Sequence, residues 1–454
     1  MKRHANLLCL GAAVALLNAC APAVNAPEPV FPIPEKKQVD WQKMETYAFV
    51  HFGLNTFNDR EWGYGDSDPA TFNHVKLDCE QWVKTFVAAG MKGVILTAKH
   101  HDGFCLWPSK YTDYSVKNAA WKNGKGDVVR EFVDACEEYG LKAGIYLGPH
   151  DRHEHLSPLY TTERYKEYYA HQLGELMSDY GKIWETWWDG AGADELTTPV
   201  YRHWYKIVRE KQPDCVIFGT KNSYPFADVR WMGNEAGEAG DPCWATTDSV
   251  AIRDEAQYYK GLNEGMLDGD AYIPAETDVS IRPGWFYHEE EDDQVRSFEN
   301  LKEIYLSSVG GNTTLLLNLP PMKNGRLHQT DVNNVKMLGD FIRSTFKDNL
   351  ADIAEITTTP EQDAEGKNAD LLRVDDYENV FRNKAGDREL TIHLQWTEKK
   401  KLSYLVLKEA IPFSQRVEKF SVWYAAEDGK KEKIVDATTI GYKKIIDLQG
   451  VETD

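Results

Sequence analysis

Positive charge is scarce in this 454-residue chain: 52 lysines and arginines stand against 72 aspartates and glutamates, for a formal net charge of −20. Such a surface repels phosphate backbones and argues against nucleic acid as a partner. Cysteine is scarcer still, at seven, and no pair has Cys-x-x-Cys spacing. That excludes a zinc ribbon and a disulfide scaffold; Cys79, Cys105, Cys136, Cys215 and Cys243 read as core residues. No apolar run reaches the roughly 18 residues of a spanning helix. Also missing are a Gly-rich phosphate turn after the first strand and the HExxH or HxxEH pairs of zinc hydrolases.

What is present is aromatic and ordered. Hydrophobic residues make up 42% and charged residues 27%, enough for a proper core. Fourteen Trp and 23 Tyr offer flat apolar faces with polar edges, which suit amphipathic rings such as sugars as well as core packing. The N-terminus begins with Lys2 and Arg3, continues through a short apolar stretch and ends in Leu17-Asn18-Ala19-Cys20. This resembles a bacterial lipoprotein signal cleaved before Cys20, the lipidation site, with residues 1–19 removed and residues 20–39 as a Pro-rich tether. No Asp follows Cys20 to favour inner-membrane retention, so the expected location is the cell envelope, anchored by lipid to the outer membrane.

Beyond the tether, strands and amphipathic helices alternate. Apolar runs at Tyr47–Asn55, Gly93–His100, Ala143–Pro149, Ile183–Gly190, Cys215–Thr220, Asp228–Asn234, Tyr272–Val279 and Thr313–Leu319 are separated by helical patterns, except after the sixth, where the helix is indistinct. Eight such repeats predict an α/β fold, a (β/α)8 barrel over residues 40–350. An open doubly wound sheet is the alternative. From residue 351 to 454 the texture changes to short alternating runs, at Glu389–Trp396, Leu402–Leu407, Val417–Tyr424 and Ile440–Leu448, as in a β-sandwich. Four runs leave that sandwich one or two strands short, so it is either truncated or unusually closed. Asn312-Thr313-Thr314 fits a glycosylation sequon but reads as a strand start.

In a barrel, chemistry gathers where strands end. Those ends carry His51; Lys99-His100-His101-Asp102; Pro149-His150-Asp151-Arg152; Trp187-Trp188-Asp189; Arg230 to Glu235; and Glu276 with Asp278. Carboxyl pairs, aromatic walls and neutral hydrogen-bonding rings are the inventory of a glycoside hydrolase. A metal-dependent barrel hydrolase is the rival, through His150, His153 and His155. A non-catalytic glycan-binding protein is a further one.

The stretches HFGLNTFNDREWG (His51–Gly63), TAKHHDGFCLWPSKY (Thr97–Tyr111), WWDGA (Trp187–Ala191), RWMGNEAG (Arg230–Gly237) and IRPGWFYH (Ile281–His288) resemble glycoside hydrolase family 29, the α-L-fucosidases, over about residues 40–350. The pattern is closer to the α-1,3/1,4-specific subfamily than to the broad-specificity one. The resemblance implies a retaining exo-fucosidase acting on Lewis-type fucosylated glycans, with no metal or cofactor. It makes Asp189 the nucleophile and Glu235 the acid/base, with Glu238 and Glu276 as rivals. It also makes His51, Glu61, His100, His101, Trp187, Arg230 and Trp285 the sugar-binding set. One departure stands out: His150 occupies a position where the family often has Trp.

Overall fold

The computed structural model describes residues 27–73, 76–249, 255–360, 369–383, 386–426 and 429–454; the expected leader and Cys20 lie outside these. By packing, the chain divides into two compact units. One is Pro29–Glu355 with Leu394–Asp454, and the other is centred on Ile356–His393. The division therefore differs from the single boundary at 350 expected from the sequence.

Ten strands lie in the first part of the larger unit. They are β1 (Thr46–Val50), β2 (Gly93–Lys99), β3 (Lys142–Leu147), β4 (Glu185–Trp187), β5 (Val216–Gly219), β6 (Val229–Trp231), β7 (Thr246–Thr247), β8 (Ala271–Tyr272), β9 (Ala275–Ser280) and β10 (Thr314–Asn318). Eight of them close a barrel in the order β1-β10-β9-β6-β5-β4-β3-β2. The closing pairs β1–β10 and β1–β2 are parallel. Successive strand residues point to opposite faces. Tyr47, Phe49, Ile95, Tyr146, Trp187, Phe218 and Leu316 fill the barrel interior. Ala48, Val50, Leu96, Ile145, Ile217, Leu315 and Leu317 belong to a second buried cluster, outside it. Burial on both faces is why these strands read as unbroken apolar runs.

The helices are α1 (Lys36–Gln42), α2 (Leu54–Asn58), α3 (Cys79–Ala88), α4 (Val128–Tyr139), α5 (Arg152–His155), α6 (Thr162–Asp179), α7 (Thr198–Lys211), α8 (Glu255–Glu264), α9 (Phe298–Ser308) and α10 (Gln329–Thr345). Their starts are chemically marked. Asp78, Asp127, Thr161 and Ser297 accept the backbone N–H of Gln81 (3.0 Å), Arg130 (2.9 Å), Arg164 (3.2 Å) and Asn300 (3.3 Å). Each cap contributes about 1 kcal/mol. The indistinct stretch after the sixth strand is an antiparallel β7–β8 hairpin with α8 between its strands.

Below the rim, Lys99 at the end of β2 meets Asp151 after β3 at 2.9 Å, both side chains fully buried. Lys99 also donates to Gln172 Oε1 (3.0 Å), and Asp151 caps α5 through the Glu154 N–H (3.0 Å). Losing one partner from such a pair costs about 3–5 kcal/mol, because the other charge is left buried and unpaired. The ends of β2 and β3 are fastened together here.

The C-terminal strands are β11 (Glu355–Thr359), β12 (Thr391–Gln395), β13 (Lys400–Leu407), β14 (Phe420–Ala425), β15 (Lys431–Ala437) and β16 (Lys444–Thr453). Within the larger unit, β13 pairs antiparallel with β16 and β14 with β15. Their inner faces share one cluster through Leu402, Leu405, Phe420, Val422, Val435 and Ile446. Two of the six strands, β11 and β15, were not expected from the sequence. In β15, Lys431, Glu432 and Lys433 are all exposed and the register shifts opposite Val422 and Trp423, which hides the alternation. Asn312 is buried, donating to the Cys243 carbonyl (2.9 Å) and accepting from the Tyr442 N–H (2.6 Å), so the sequon is a structural residue.

Candidate active site

Asp189 follows β4 by two residues, at the carboxyl end of the barrel. Its side chain is 21% exposed, and both oxygens are oriented. Tyr146 donates its hydroxyl to Oδ2 (3.0 Å), and the Ala191 N–H donates to Oδ1 (2.8 Å). His101 Nε2 lies 3.5 Å from Oδ2. Burial raises the Asp189 pKa, against the lowering by the Ala191 and Tyr146 bonds.

Glu235, beyond β6, accepts from Trp285 Nε1 at 3.3 Å. Burial raises its pKa, the Trp285 bond lowers it, and the charges of Asp189 and Glu61 raise it further. Glu235 is nevertheless exposed, so solvent screens part of that effect. The two carboxyls thus sit within electrostatic reach of each other, one in the floor and one at the mouth.

Neutral rings line the space between. His51 Nδ1 bonds Asn318 Oδ1 (2.9 Å), and Asn318 spends its Nδ2 on the Trp285 carbonyl (2.8 Å) and Ser280 Oγ (2.9 Å). The amide is therefore oriented, Nδ1 of His51 carries the proton, and Nε2 is left as an acceptor. Burial pushes the His51 and His101 pKa values down to about 3 and lowers that of His100 well below the ordinary imidazole value. His100 stacks on Tyr146 (5.5 Å between ring centres), His101 lies against Trp62 (4.2 Å), and His51 packs against Trp285 (5.1 Å).

Glu61 is an anchor. It accepts the backbone N–H groups of Trp285 (2.9 Å) and Phe286 (3.0 Å) and meets His288 Nε2 at 2.8 Å. His288 also bonds Asp59 Oδ1 (2.6 Å). Burial disfavours a charged His288 ring, but its bonds to Asp59 and Glu61 outweigh that and raise its pKa. These contacts fix the loop that carries Trp285.

A profile of the α-L-fucosidase family matches residues 28–345. The chain belongs to the α-L-fucosidase family, glycoside hydrolase family 29. It is 37% identical over 428 residues to α-L-fucosidase 1 of Arabidopsis thaliana, covering 92% of this chain and 82% of that one. A crystal structure from Bacteroides thetaiotaomicron, assigned as an α-L-fucosidase, is 62% identical and covers 94% of each chain with a TM-score of 0.91. A Ruminococcus gnavus family 29 fucosidase in complex with fucose is 32% identical, covers 94% of this chain and 91% of its own, and has a TM-score of 0.84.

Set against the fucosidase resemblance, the structure brings Asp189, Glu235, Glu61, His51, His100, His101 and Trp285 together at one end of the barrel. Trp187 stands beneath them, stacked on Phe218 at 3.8 Å. Arg230 is a correction. Strand parity turns Trp231 inward and Arg230 outward, where the guanidinium is fully buried. It donates to the carbonyls of Leu262 (2.9 Å), Trp244 (2.8 Å) and Ile273, all on the side of the strand away from Asp189, so it does not reach a sugar. Arg230→Met is expected to lower unfolding free energy by about 3–5 kcal/mol, since three buried acceptors lose a charged donor. Urea unfolding measures this, and KM of the folded enzyme for an aryl fucoside should not change.

Glu276 is also set aside as an acid/base. It is fully buried, with its two oxygens taken by the Tyr47 hydroxyl and by Trp187 Nε1 (2.7 Å). Burial pushes its carboxyl up to about 7 and raises that of its neighbour Glu185 as well. Glu276 thus holds Trp187 from below. Glu238 is exposed, and its backbone carbonyl closes a turn with Asn234 (3.0 Å).

Sequence reasoning did not single out Tyr146, Asn318, Trp62 or His288. Inward parity on β3 and β10 is the signal that could have marked the first two. The three histidines of the metal rival do not converge. His153 stacks on Tyr114 (4.0 Å) and bonds the Gly65 carbonyl (2.7 Å).

Proposed function

We propose that the chain is a retaining exo-α-L-fucosidase that removes α-1,3- and α-1,4-linked fucose from Lewis-type glycans. The observation that carries this reading is the placement of Asp189 and Glu235 at one barrel mouth, within each other's field. Asp189, fixed by Tyr146 and Ala191, attacks the anomeric carbon as the glycosidic oxygen leaves with the proton of Glu235. Water then attacks the fucosyl-enzyme, Glu235 takes the proton, and Asp189 departs. Burial, and with it the charge of Asp189, raises the pKa of Glu235, the direction a general acid needs. Activity should accordingly fall below the Asp189 pKa and above that of Glu235, giving a bell-shaped profile. Retention requires carboxyl groups about 5–5.5 Å apart in a sugar-bound complex.

Linkage choice rests on the side of the pocket that meets the leaving sugar. Exposed Trp62, under the Arg152 guanidinium at 5.0 Å, and His150 border that side. Polar groups placed for a branched acceptor are left unsatisfied by a linear one, at about 1–3 kcal/mol each, or about 5–150-fold in rate. A parallel time course on α-1,2-, α-1,3-, α-1,4- and α-1,6-fucosylated oligosaccharides should show the α-1,3 and α-1,4 substrates consumed faster by that margin. Equal rates would make the enzyme broad in specificity.

Lipid anchoring through Cys20, and location in the outer membrane, are part of the same proposal. Among the described residues no helix is long and apolar enough to cross a membrane. Wild-type protein should sediment with membranes, and Cys20→Ala should release it or block processing. A wild type that is wholly soluble in the periplasm would refute the anchor.

A further inference from the structure

Beside the hydrolytic pocket lies a cluster that the reaction above does not use. His150 follows β3, His155 ends α5, and Glu195 lies on the loop that also carries Asp189. One ligand atom from each falls within 4.8 Å of the others. His155 Nε2 and Glu195 Oε1 are 3.1 Å apart, and the His150 and His155 rings are 5.1 Å apart. Nδ1 of His150 is buried without a hydrogen-bond partner.

We infer that His150, His155 and Glu195 form a binding site for a divalent transition cation of the zinc class, bridging the loops after β3 and β4. With bonds of about 2.0–2.1 Å, donors around one tetrahedral ion stand about 3.4 Å apart. The His155–Glu195 pair, at 3.1 Å, is already near that spacing, and no pair stands more than 4.8 Å apart. Two imidazoles and one carboxylate suit zinc, nickel or copper rather than magnesium or calcium, which prefer oxygen cages. Three protein ligands leave the fourth position to water. Tyr160 donates to Glu195 Oε1 (3.2 Å), the kind of outer contact that orients a ligand. The ion would tie the loop of the nucleophile to the loop whose His150 ring lies 5.6 Å from His101. It would take no part in bond cleavage.

The test uses full-length protein freed of metal by chelator dialysis. Titration calorimetry with zinc chloride should give one equivalent bound, with no heat from magnesium chloride, and zinc should raise the thermal unfolding midpoint. Cobalt(II) should give the visible absorption of a low-coordinate site. His155→Ala and Glu195→Gln should each weaken zinc binding at least about 10-fold. Turnover of an aryl fucoside in chelator should be the same in both variants as in wild type, which establishes that they fold. Absence of stoichiometric zinc, or equal zinc binding by the variants, overturns the site. Because turnover is read in chelator, either result leaves the fucosidase reading standing.

Discussion

Asp189→Ala is expected to lose turnover on every fucoside, activated or not, by on the order of 10⁴-fold or more. The loss is chemical rather than structural. The carboxylate it removes is held at a cost, since burial raises its pKa, and that relief offsets the loss of its bonds from Tyr146 and Ala191. The melting midpoint should therefore stay close to wild type. Added azide should restore cleavage of an aryl fucoside by attacking the anomeric carbon directly and displacing the phenolate, giving the β-fucosyl azide. Full activity in Asp189→Ala, or an α-azide product, would place the nucleophile elsewhere.

Glu235→Ala should split substrates by leaving group. An aryl fucoside with an acidic phenol departs without a proton, so its first step should be little affected. Oligosaccharides, whose alkoxide leaves only when protonated, should slow by about 10²–10⁴-fold. Azide should now intercept the fucosyl-enzyme and give the α-fucosyl azide, the opposite anomer to that from Asp189→Ala. The basic limb of the pH profile should disappear, because the group that titrates there has gone. If Glu276→Gln shows the leaving-group split instead, the acid has been misplaced, although the burial of Glu276 between Tyr47 and Trp187 argues against that outcome.

The barrel was legible because strands buried on both faces leave apolar runs that no loop imitates, and capping residues mark the helices between them. The motifs around Asp189 and Glu235 singled them out as candidates, and both lie just beyond the ends of β4 and β6. Parity in short strands was not. With only Val229, Arg230 and Trp231 in β6, the sequence does not say which residue faces inward, and the buried, carbonyl-bound Arg230 looks like a ligand-binding arginine. Depth along the axis was equally hidden: Glu276 and Asp278 share one strand and one face, yet only geometry shows Glu276 walled off under Trp187. Tyr146 was passed over because an inward tyrosine on a barrel strand looks like packing until its hydroxyl is seen on Asp189. Sequence proximity grouped His153 with His150 and His155, whereas the chain brings Glu195 in from the next loop.

Glu61 holds the Trp285 backbone, and the Trp285 indole holds Glu235. The indole assigned to the sugar-binding set and the carboxyl proposed to deliver the proton are therefore one lever on a single fulcrum. A sugar that seats badly against the indole does not merely reside for less time; it tilts the donor away from the bond to be broken. A hexose carrying a hydroxyl where fucose has its methyl would be penalised twice, in occupancy and again in proton delivery. Discrimination of this kind shows in kcat as well as in KM.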